Sequence, residues 1–308
     1  MSFSSTIKED LTRIRLRMPT EKKAELSGLL FGCGALYLGN RIYGITCTTE
    51  NLAVGRRIAV LAADLFRMNP QVESMEVQGR KHPLYLIYLV GESASSLQEE
   101  TGFLLRGEDG FQLSETCPIF TPGTEEEKAF LRGLFFGCGS CTNPKSGYQL
   151  ELVVRTELMA ESIQSKLSGY GIDSRIRNRK GKAVLYVNGD NVTAFLALIG
   201  ANAAAMELEN VRVEKDLRNY VNRKSNCETA NIGKTVTAGL IQLQAIETIE
   251  ETIGIDRLPA PLYEAAILRM NHPDATLQEL ADLAEIGKSG MNHRLSRLIR
   301  MAEELRNE

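Results

Sequence analysis

Two groups of residues in this chain have chemistry to offer: a set of cysteines and a basic cluster near the C-terminus. Cys33 and Cys138 sit near the ends of two near-identical nonapeptides. These read Leu-Ser-Gly-Leu-Leu-Phe-Gly-Cys-Gly at 26–34 and Leu-Arg-Gly-Leu-Phe-Phe-Gly-Cys-Gly at 131–139. Cys138-Gly139-Ser140-Cys141 is a C-x-x-C. Thiolates bind soft metals and exchange disulfides. A duplicated fold that brings Cys33 beside Cys138 and Cys141 would therefore make a redox or metal sensor. The opposing reading is that Cys33 and Cys138 are small apolar fillers at a tight helix crossing. C-x-x-C alone is a weak signal and no second cysteine pair completes a Cys₄ set. No metal and no cofactor are expected.

The second group lies in residues 287–300, Gly-Lys-Ser-Gly-Met-Asn-His-Arg-Leu-Ser-Arg-Leu-Ile-Arg, which hold four Lys/Arg and no acid. The whole stretch 255–308 has nine acids against seven Lys/Arg, so positive charge is concentrated on this segment. Met291, Leu295 and Leu298 recur at helical spacing and are expected to face inward. That leaves Ser289, Asn292, His293 and Ser296 with donors or acceptors for base edges, and Lys288, Arg294 and Arg297 for phosphates or guanine. The opposing reading is an ordinary surface helix with a solvated basic face.

The elements that must position these groups are legible. Thr276-x-x-Glu279 is a capping box opening a helix over 277–284, Glu285-Ile286-Gly287 is a turn, and Ser289 is placed to cap a helix running to about Leu305. Helix, short turn, helix is the helix-turn-helix arrangement, whose second helix enters the major groove of double-stranded DNA. Leu262–Met270 precedes it as another helix. Upstream, each nonapeptide lies on a helix, with Thr124 and Glu127 as a capping box for the second and Thr20-Glu21 as a weaker start for the first. Gly28/Gly32 and Gly133/Gly137 fall at i, i+4, on one face of each helix. A mid-helix glycine costs roughly 1 kcal/mol relative to alanine. A doubled pair predicts direct backbone contact between the two helices.

The repetition extends beyond the nonapeptides. Strand-like runs (35–38 and 42–46; 148–155) lead into helices opened by Thr49-Glu50 and Thr156-Glu157. Basic turns, Gly79-Arg80-Lys81 and Arg179-Lys180-Gly181, precede the last strands at 84–90 and 183–187. Helices near 95–105 and 191–199 close the halves. Each half reads α-β-β-α-β-β-α, and two halves make one domain about a pseudo-twofold axis. The stretch Glu209–Thr235 carries Arg212, Arg218, Arg223 and Lys224, then Asn226-Cys227-Glu228-Thr229-Ala230-Asn231, before a helical run to Thr252.

The nonapeptides resemble the LAGLIDADG motif of homing endonucleases. In that family the last Asp of each motif binds the catalytic metal, and the saddle of sheets lies on DNA. Here Phe31 and Cys33, then Phe136 and Cys138, stand at the motif Asp positions. Hydrolysis by hard divalent metals needs oxygen ligands, so nuclease chemistry is expected to be absent and no catalytic residue remains. The whole chain resembles the WhiA family. The resemblance is carried by residues 1–14, Glu50–Ile58, Leu198–Arg212, Arg218–Asn231 (Arg-Asn-Tyr-Val-Asn-Arg-Lys-Ser-Asn-Cys-Glu-Thr-Ala-Asn) and Lys288–Leu298. It implies an α+β fold: a duplicated, degenerate LAGLIDADG-like domain of αββαββα halves, followed by an all-α helix-turn-helix domain. It also implies a DNA-binding transcriptional regulator, of sporulation in actinobacterial relatives and of cell division or chromosome segregation in firmicutes.

Size and composition agree with two soluble domains: 308 residues, 43% apolar and 24% charged. The expected division is 1–115 and 116–216 for the two halves, 217–254 for a connecting segment, and 255–308 for the helix-turn-helix. A net charge of −3 puts any nucleic-acid contact in local clusters. Arg80/Lys81 and Arg179/Lys180 are expected to add phosphate contacts to those of the last helix. The longest charge-free run, 191–206, is too short to span a bilayer. The N-terminus lacks a signal-peptide core, and six irregularly spaced cysteines do not make a disulfide framework. The expectation is a cytoplasmic, nucleoid-associated protein with double-stranded DNA as partner, division or transcription proteins besides, and no membrane. The alternatives are a division-related scaffold, a redox- or metal-sensing DNA-binding protein, and an active metal-dependent endonuclease.

Overall fold

The computed structural model describes residues 2–39, 42–79, 82–107 and 110–307. The chain divides into two compact units, Met1–Glu214 and Lys215–Glu308.

The first unit opens with α1 (Phe3–Leu11), whose first turn is capped by the Ser2 hydroxyl accepting from the Ser5 amide. Next come α2 (Pro19–Cys33), β1 (Gly34–Gly39), β2 (Ile42–Thr49), α3 (Leu52–Phe66), β3 (Gln71–Met75), β4 (Leu84–Val90) and α4 (Ala94–Glu100). After a hairpin of β5 (Leu104–Gly107) and β6 (Gly110–Leu113) the order repeats. The second half is α5 (Glu125–Cys138), β7 (Gly139–Cys141), β8 (Gln149–Val154), α6 (Glu157–Ser168), β9 (Ser174–Arg179), β10 (Lys182–Asn188) and α7 (Asp190–Leu198). The expected α-β-β-α-β-β-α unit is present twice. Each half carries one antiparallel four-stranded sheet, in the order β1-β2-β4-β3 and β7-β8-β10-β9.

The glycines do what their spacing predicts. A Cβ on Gly28 would lie 2.1 Å from the Phe130 carbonyl oxygen, and one on Gly133 would lie 2.1 Å from that of Glu25. A Cβ on Gly32 would lie 2.9 Å from Gly137 Cα, and one on Gly137 2.8 Å from Gly32 Cα. The matched distances, on residues 105 apart, trace the twofold axis. Around the crossing Leu26, Leu29, Leu30, Phe130, Leu134, Phe135 and Phe136 are fully buried. One departure from symmetry lies at its edge. Glu25, also fully buried, accepts from Arg57 Nε and Arg132 Nε, both at 2.6 Å. Arg57 also donates to the carbonyls of Thr12 and Ile14, and Arg132 to that of Ile199. A carboxylate buried among apolar side chains is tolerated because two charged donors satisfy it.

Several element ends differ from the sequence expectation. Thr20 lies inside α2, which starts at Pro19 with no side-chain cap, and its hydroxyl instead donates to Glu126 of α5. Pro at the first helical position needs no partner for its missing N–H. Asn51, rather than Thr49-Glu50, caps α3 by accepting from the amides of Ala53 and Val54. Thr124 caps α5, but Glu127 does not close the box: it accepts from the Gly123 amide and the Tyr170 hydroxyl. The helix expected to reach residue 105 ends at Glu100, because Gly102 at φ +69° turns the chain into β5.

The long helix α8 (Asn202–Thr252) places Ala205 and Leu208 in the core of the first unit and Ala245, Ile246 and Ile249 in that of the second. The last turns of the segment 217–254 thus belong to the core of the second unit. α9 (Ala260–Asn271), α10 (Leu277–Leu283) and α11 (Lys288–Asn307) complete the second unit. Its core joins those α8 residues to Leu262, Ala265, Ala266, Leu280, Met291, Leu295 and Leu298. No helix among the described residues is long and apolar enough to cross a membrane.

Candidate nucleic-acid interface

The helix-turn-helix is assembled by local bonds. Thr276 and Glu279 form the full capping box: the Thr276 hydroxyl accepts from the Glu279 amide and Glu279 accepts from the Thr276 amide at 2.6 Å. That amide and the Thr276 hydroxyl hold the Glu279 carboxyl below the usual carboxylate range. At the other end of α10 the amides of Ile286 and Glu285 bond the carbonyls of Ala281 and Asp282, which is a Schellman motif. The left-handed residue is Glu285, at φ +53°, and not the turn glycine. Gly287 instead gives its carbonyl to the Met291 amide and so stands just ahead of α11. Ser289 is thus inside α11 rather than its cap. Arg269, almost fully buried, donates to the carbonyls of His272, Pro273 and Ala275 and fixes the α9–α10 connection. It adds to the basic count of the unit without being available to a partner.

Met291, Leu295 and Leu298 face the core as expected, each at most 1% exposed. Opposite them Ser289, His293 and Arg297 are exposed, with Ser296 half-buried beside them. Lys288 and Asn292 are exposed on the flank. Arg294 is half-buried and already engaged, its Nη1 2.7 Å from Glu264 Oε2 of α9. Ser289, His293, Arg294 and Arg297 line one side of a groove of about 610 Å³, with Pro259, Pro261 and Leu262 on the other. Arg300, absent from the expected set, is also exposed and continues the outward stripe three residues after Arg297. Its helical spacing was signal enough.

In the first unit Arg80 and Lys81 lie outside the described residues. Arg179 is exposed and 3.2 Å from Glu151. Lys180 and Gly181, at φ +52° and +75°, form the two-residue turn between β9 and β10, with both angles positive as a type I′ hairpin requires. The sequence reading missed two further cations. β9 is Ser-Arg-Ile-Arg-Asn-Arg, so Arg175, Arg177 and Arg179 share one face at period two. They pair across the sheet with Tyr186, Val184 and Lys182, and Ile176 turns inward to the core. The equivalent strand of the first half, β3, is Gln-Val-Glu-Ser-Met and has no cation. A T-shaped Tyr37–Tyr88 pair, 5.4 Å between ring centres, sits on its sheet instead.

Each motif cysteine is engaged within its own helix. Cys33 and Cys138 each donate to the carbonyl four residues back in their own helix, Leu29 and Leu134, both at 3.3 Å. The neighbouring Cys47 thiol holds the Cys33 pKa below its ordinary value, and Cys33 together with burial raises that of Cys47. Burial pushes Cys138 and Cys141 up to about 12. Among the described residues no group of three or more His, Cys, Asp or Glu is placed to hold a metal ion. Phe31 and Phe136, at the other motif positions, are core, with Phe31 edge-on to Phe103 and Phe130.

Comparison with known proteins matches three family models in order along the chain. They are the WhiA N-terminal LAGLIDADG-like domain at residues 19–104, the WhiA LAGLIDADG-like domain at 127–218, and the WhiA C-terminal HTH domain at 221–302. The chain is 38% identical over 315 residues to a protein of Clostridium acetobutylicum named "Probable cell division protein WhiA", covering 100% of this chain and 99% of that one. A protein of the same name from Alkaliphilus metalliredigens is 37% identical with the same coverage. A crystal structure of full-length DUF199/WhiA from Thermotoga maritima superposes with a TM-score of 0.60 at 26% identity, covering 99% of both chains. The fold is thus a duplicated LAGLIDADG-like domain followed by a helix-turn-helix. The chain belongs to the WhiA family.

Proposed function

We propose that this protein is a DNA-binding transcriptional regulator acting in cell division and chromosome segregation, and that it has no nuclease activity. The observation that carries the reading is the solvent face of α11. Within a helix-turn-helix, Ser289, Asn292, His293 and Ser296 are placed for base edges, and Lys288, Arg297 and Arg300 for phosphates or guanine. Arg294 is ion-paired with Glu264 of α9. The relatives' name supplies the division role. Phe and Cys at the four motif positions support the loss of hydrolysis, since neither is an oxygen ligand. The Arg175/Arg177/Arg179 face, with Lys180 and Lys182, serves as a second, sequence-independent phosphate surface, and action at the nucleoid follows from both.

The test is selection of fragmented genomic DNA by the full-length protein at about 0.15 M salt, near physiological ionic strength. Wild type is compared with a Lys288→Ala/Arg297→Ala/Arg300→Ala variant. A shared sequence enriched by wild type and lost in the variant is the expected result. No enrichment by wild type refutes sequence-specific regulation. Nicking of supercoiled DNA with Mg²⁺ or Mn²⁺ refutes the loss of nuclease activity.

A further inference from the structure

The middle of α8 belongs to neither core. From Asp216 to Asn226 eleven consecutive residues are exposed, so nothing among the described residues covers that part of the helix on any side. Its sequence does not support a free-standing helix. Asn219, Tyr220, Val221, Asn222, Ser225 and Asn226 all have lower helix propensity than Ala, Leu, Lys or Arg. The acid–base pairs at i, i+4, Glu214–Arg218 and Lys224–Glu228, reach only its two ends. A helix that is solvated all round and poor in propensity is marginal in water.

Its chemistry is specific. Residues 217–226 carry Arg218, Arg223 and Lys224 and no acid. At 100° per residue Arg218, Asn219, Asn222, Arg223 and Asn226 fall within an arc of about 140°. Guanidinium and carboxamide groups together are the pair that reads guanine and adenine edges in the major groove, and the cations also meet phosphates. A purely electrostatic partner would leave the carboxamides unused. The helix is anchored in the second unit by Ala245, Ile246 and Ile249. At 1.5 Å per residue Arg218 stands about 40 Å from that anchor and Lys224 about 32 Å, close to one turn of duplex DNA.

We propose that residues 217–226 of α8 form a second DNA-binding element, an arm that is held helical by duplex DNA flanking the site of the helix-turn-helix. This rests on the DNA-binding reading of α11. The arm meets the duplex about one turn from the bases contacted by α11, and its helix is completed on binding.

The experiment measures affinity of the full-length protein for two mixed-sequence duplexes, of about 40 and about 14 base pairs, the shorter spanning little more than one helical turn. Salt is varied, and the variant is Arg218→Gln/Arg223→Gln/Lys224→Gln, since Gln keeps helix propensity and removes charge. Three lost phosphate contacts lower the slope of log affinity against log salt by about 2 to 3, and affinity for the long duplex roughly 30- to 100-fold at 0.15 M salt. Affinity for the short duplex stays unchanged. The Lys288→Ala/Arg297→Ala/Arg300→Ala variant loses both duplexes. An α8 variant that matches wild type on the long duplex, or weakens both duplexes equally, overturns the arm while leaving the α11 reading intact. Wild type binding neither duplex overturns both.

Discussion

Gly28→Ala puts the helix crossing to a quantitative test. Taken alone, the substitution favours the α-helix by about 1 kcal/mol. In the folded protein the new Cβ would lie 2.1 Å from the Phe130 carbonyl oxygen and 2.7 Å from the Leu134 amide nitrogen. Ordinary contact begins at 3.4 Å, so α5 must retreat by 1.3 Å. Both atoms are backbone, and neither can swing aside. A gap of 0.5–1 Å already forfeits a quarter to a half of each dispersion well, and here it opens between the fully buried Leu26, Leu29, Leu30, Leu134 and Phe135. Forced overpacking of cores costs about 1–3 kcal/mol and at times more. With the two glycine-filled layers of this crossing, a net loss of about 3–5 kcal/mol is expected. In calorimetry of the full-length protein the transition of the first unit falls by roughly 6–20 °C, using about 2–4 °C per kcal/mol for a unit of this size. The twofold mate Gly133→Ala meets the Glu25 carbonyl at the same 2.1 Å and costs the same. The double variant costs less than the sum, because helices already pushed apart have room for the second methyl. Gly290→Ala, whose Cβ would meet nothing closer than Ile286 Cδ1 at 3.7 Å, raises the transition of the second unit. A Gly28→Ala loss below about 1 kcal/mol, or strict additivity with Gly133→Ala, would refute the backbone-contact account.

Two further perturbations test the ionic parts of the fold. Glu25→Gln leaves Arg57 and Arg132 with an uncharged partner in a buried site and is expected to cost about 3–5 kcal/mol in urea unfolding; a cost under about 1 kcal/mol shows that the trio is dispensable. Thr276→Val removes one of the two groups that depress the Glu279 pKa, so that pKa, followed by NMR, rises toward the ordinary value of about 4.3. Because the folded value is depressed, the stability that Glu279 contributes is present above about pH 4.3 and is lost as pH falls through the folded value. The variant should therefore show a weaker loss of stability on acidification than wild type, and an identical acid profile would exclude the capping box as its source.

The helix-turn-helix was legible because its signals are local. Thr276-x-x-Glu279 is a hydrogen-bonded pair three residues apart, and Met291, Leu295 and Leu298 mark the inward face by spacing alone. The glycine helices were legible for a different reason: a costly residue repeated in register names its own contact. Element ends were read less well. Thr20 and Thr49 look like caps, but Pro19 starts α2 without one, and Asn51 wins at α3 by reaching two amides at once. The turn Glu285-Ile286-Gly287 was read in its place, while its left-handed residue, Glu285 rather than the glycine, is set by the structure.

By itself the sequence determined the duplication, the order of elements in each half, the replacement of the motif carboxylates and the concentration of positive charge on the last helix. All of these are statements about neighbours along the chain or about one stretch compared with another. Only the tertiary structure decided which side chains are free to act. It turned Cys33 and Cys138 back onto their own helices, tied Arg294 to Glu264, and buried Arg269 among carbonyls. It also left residues 216–226 of α8 exposed. Availability depends on what packs against a residue from distant parts of the chain, and one-dimensional spacing carries no record of that.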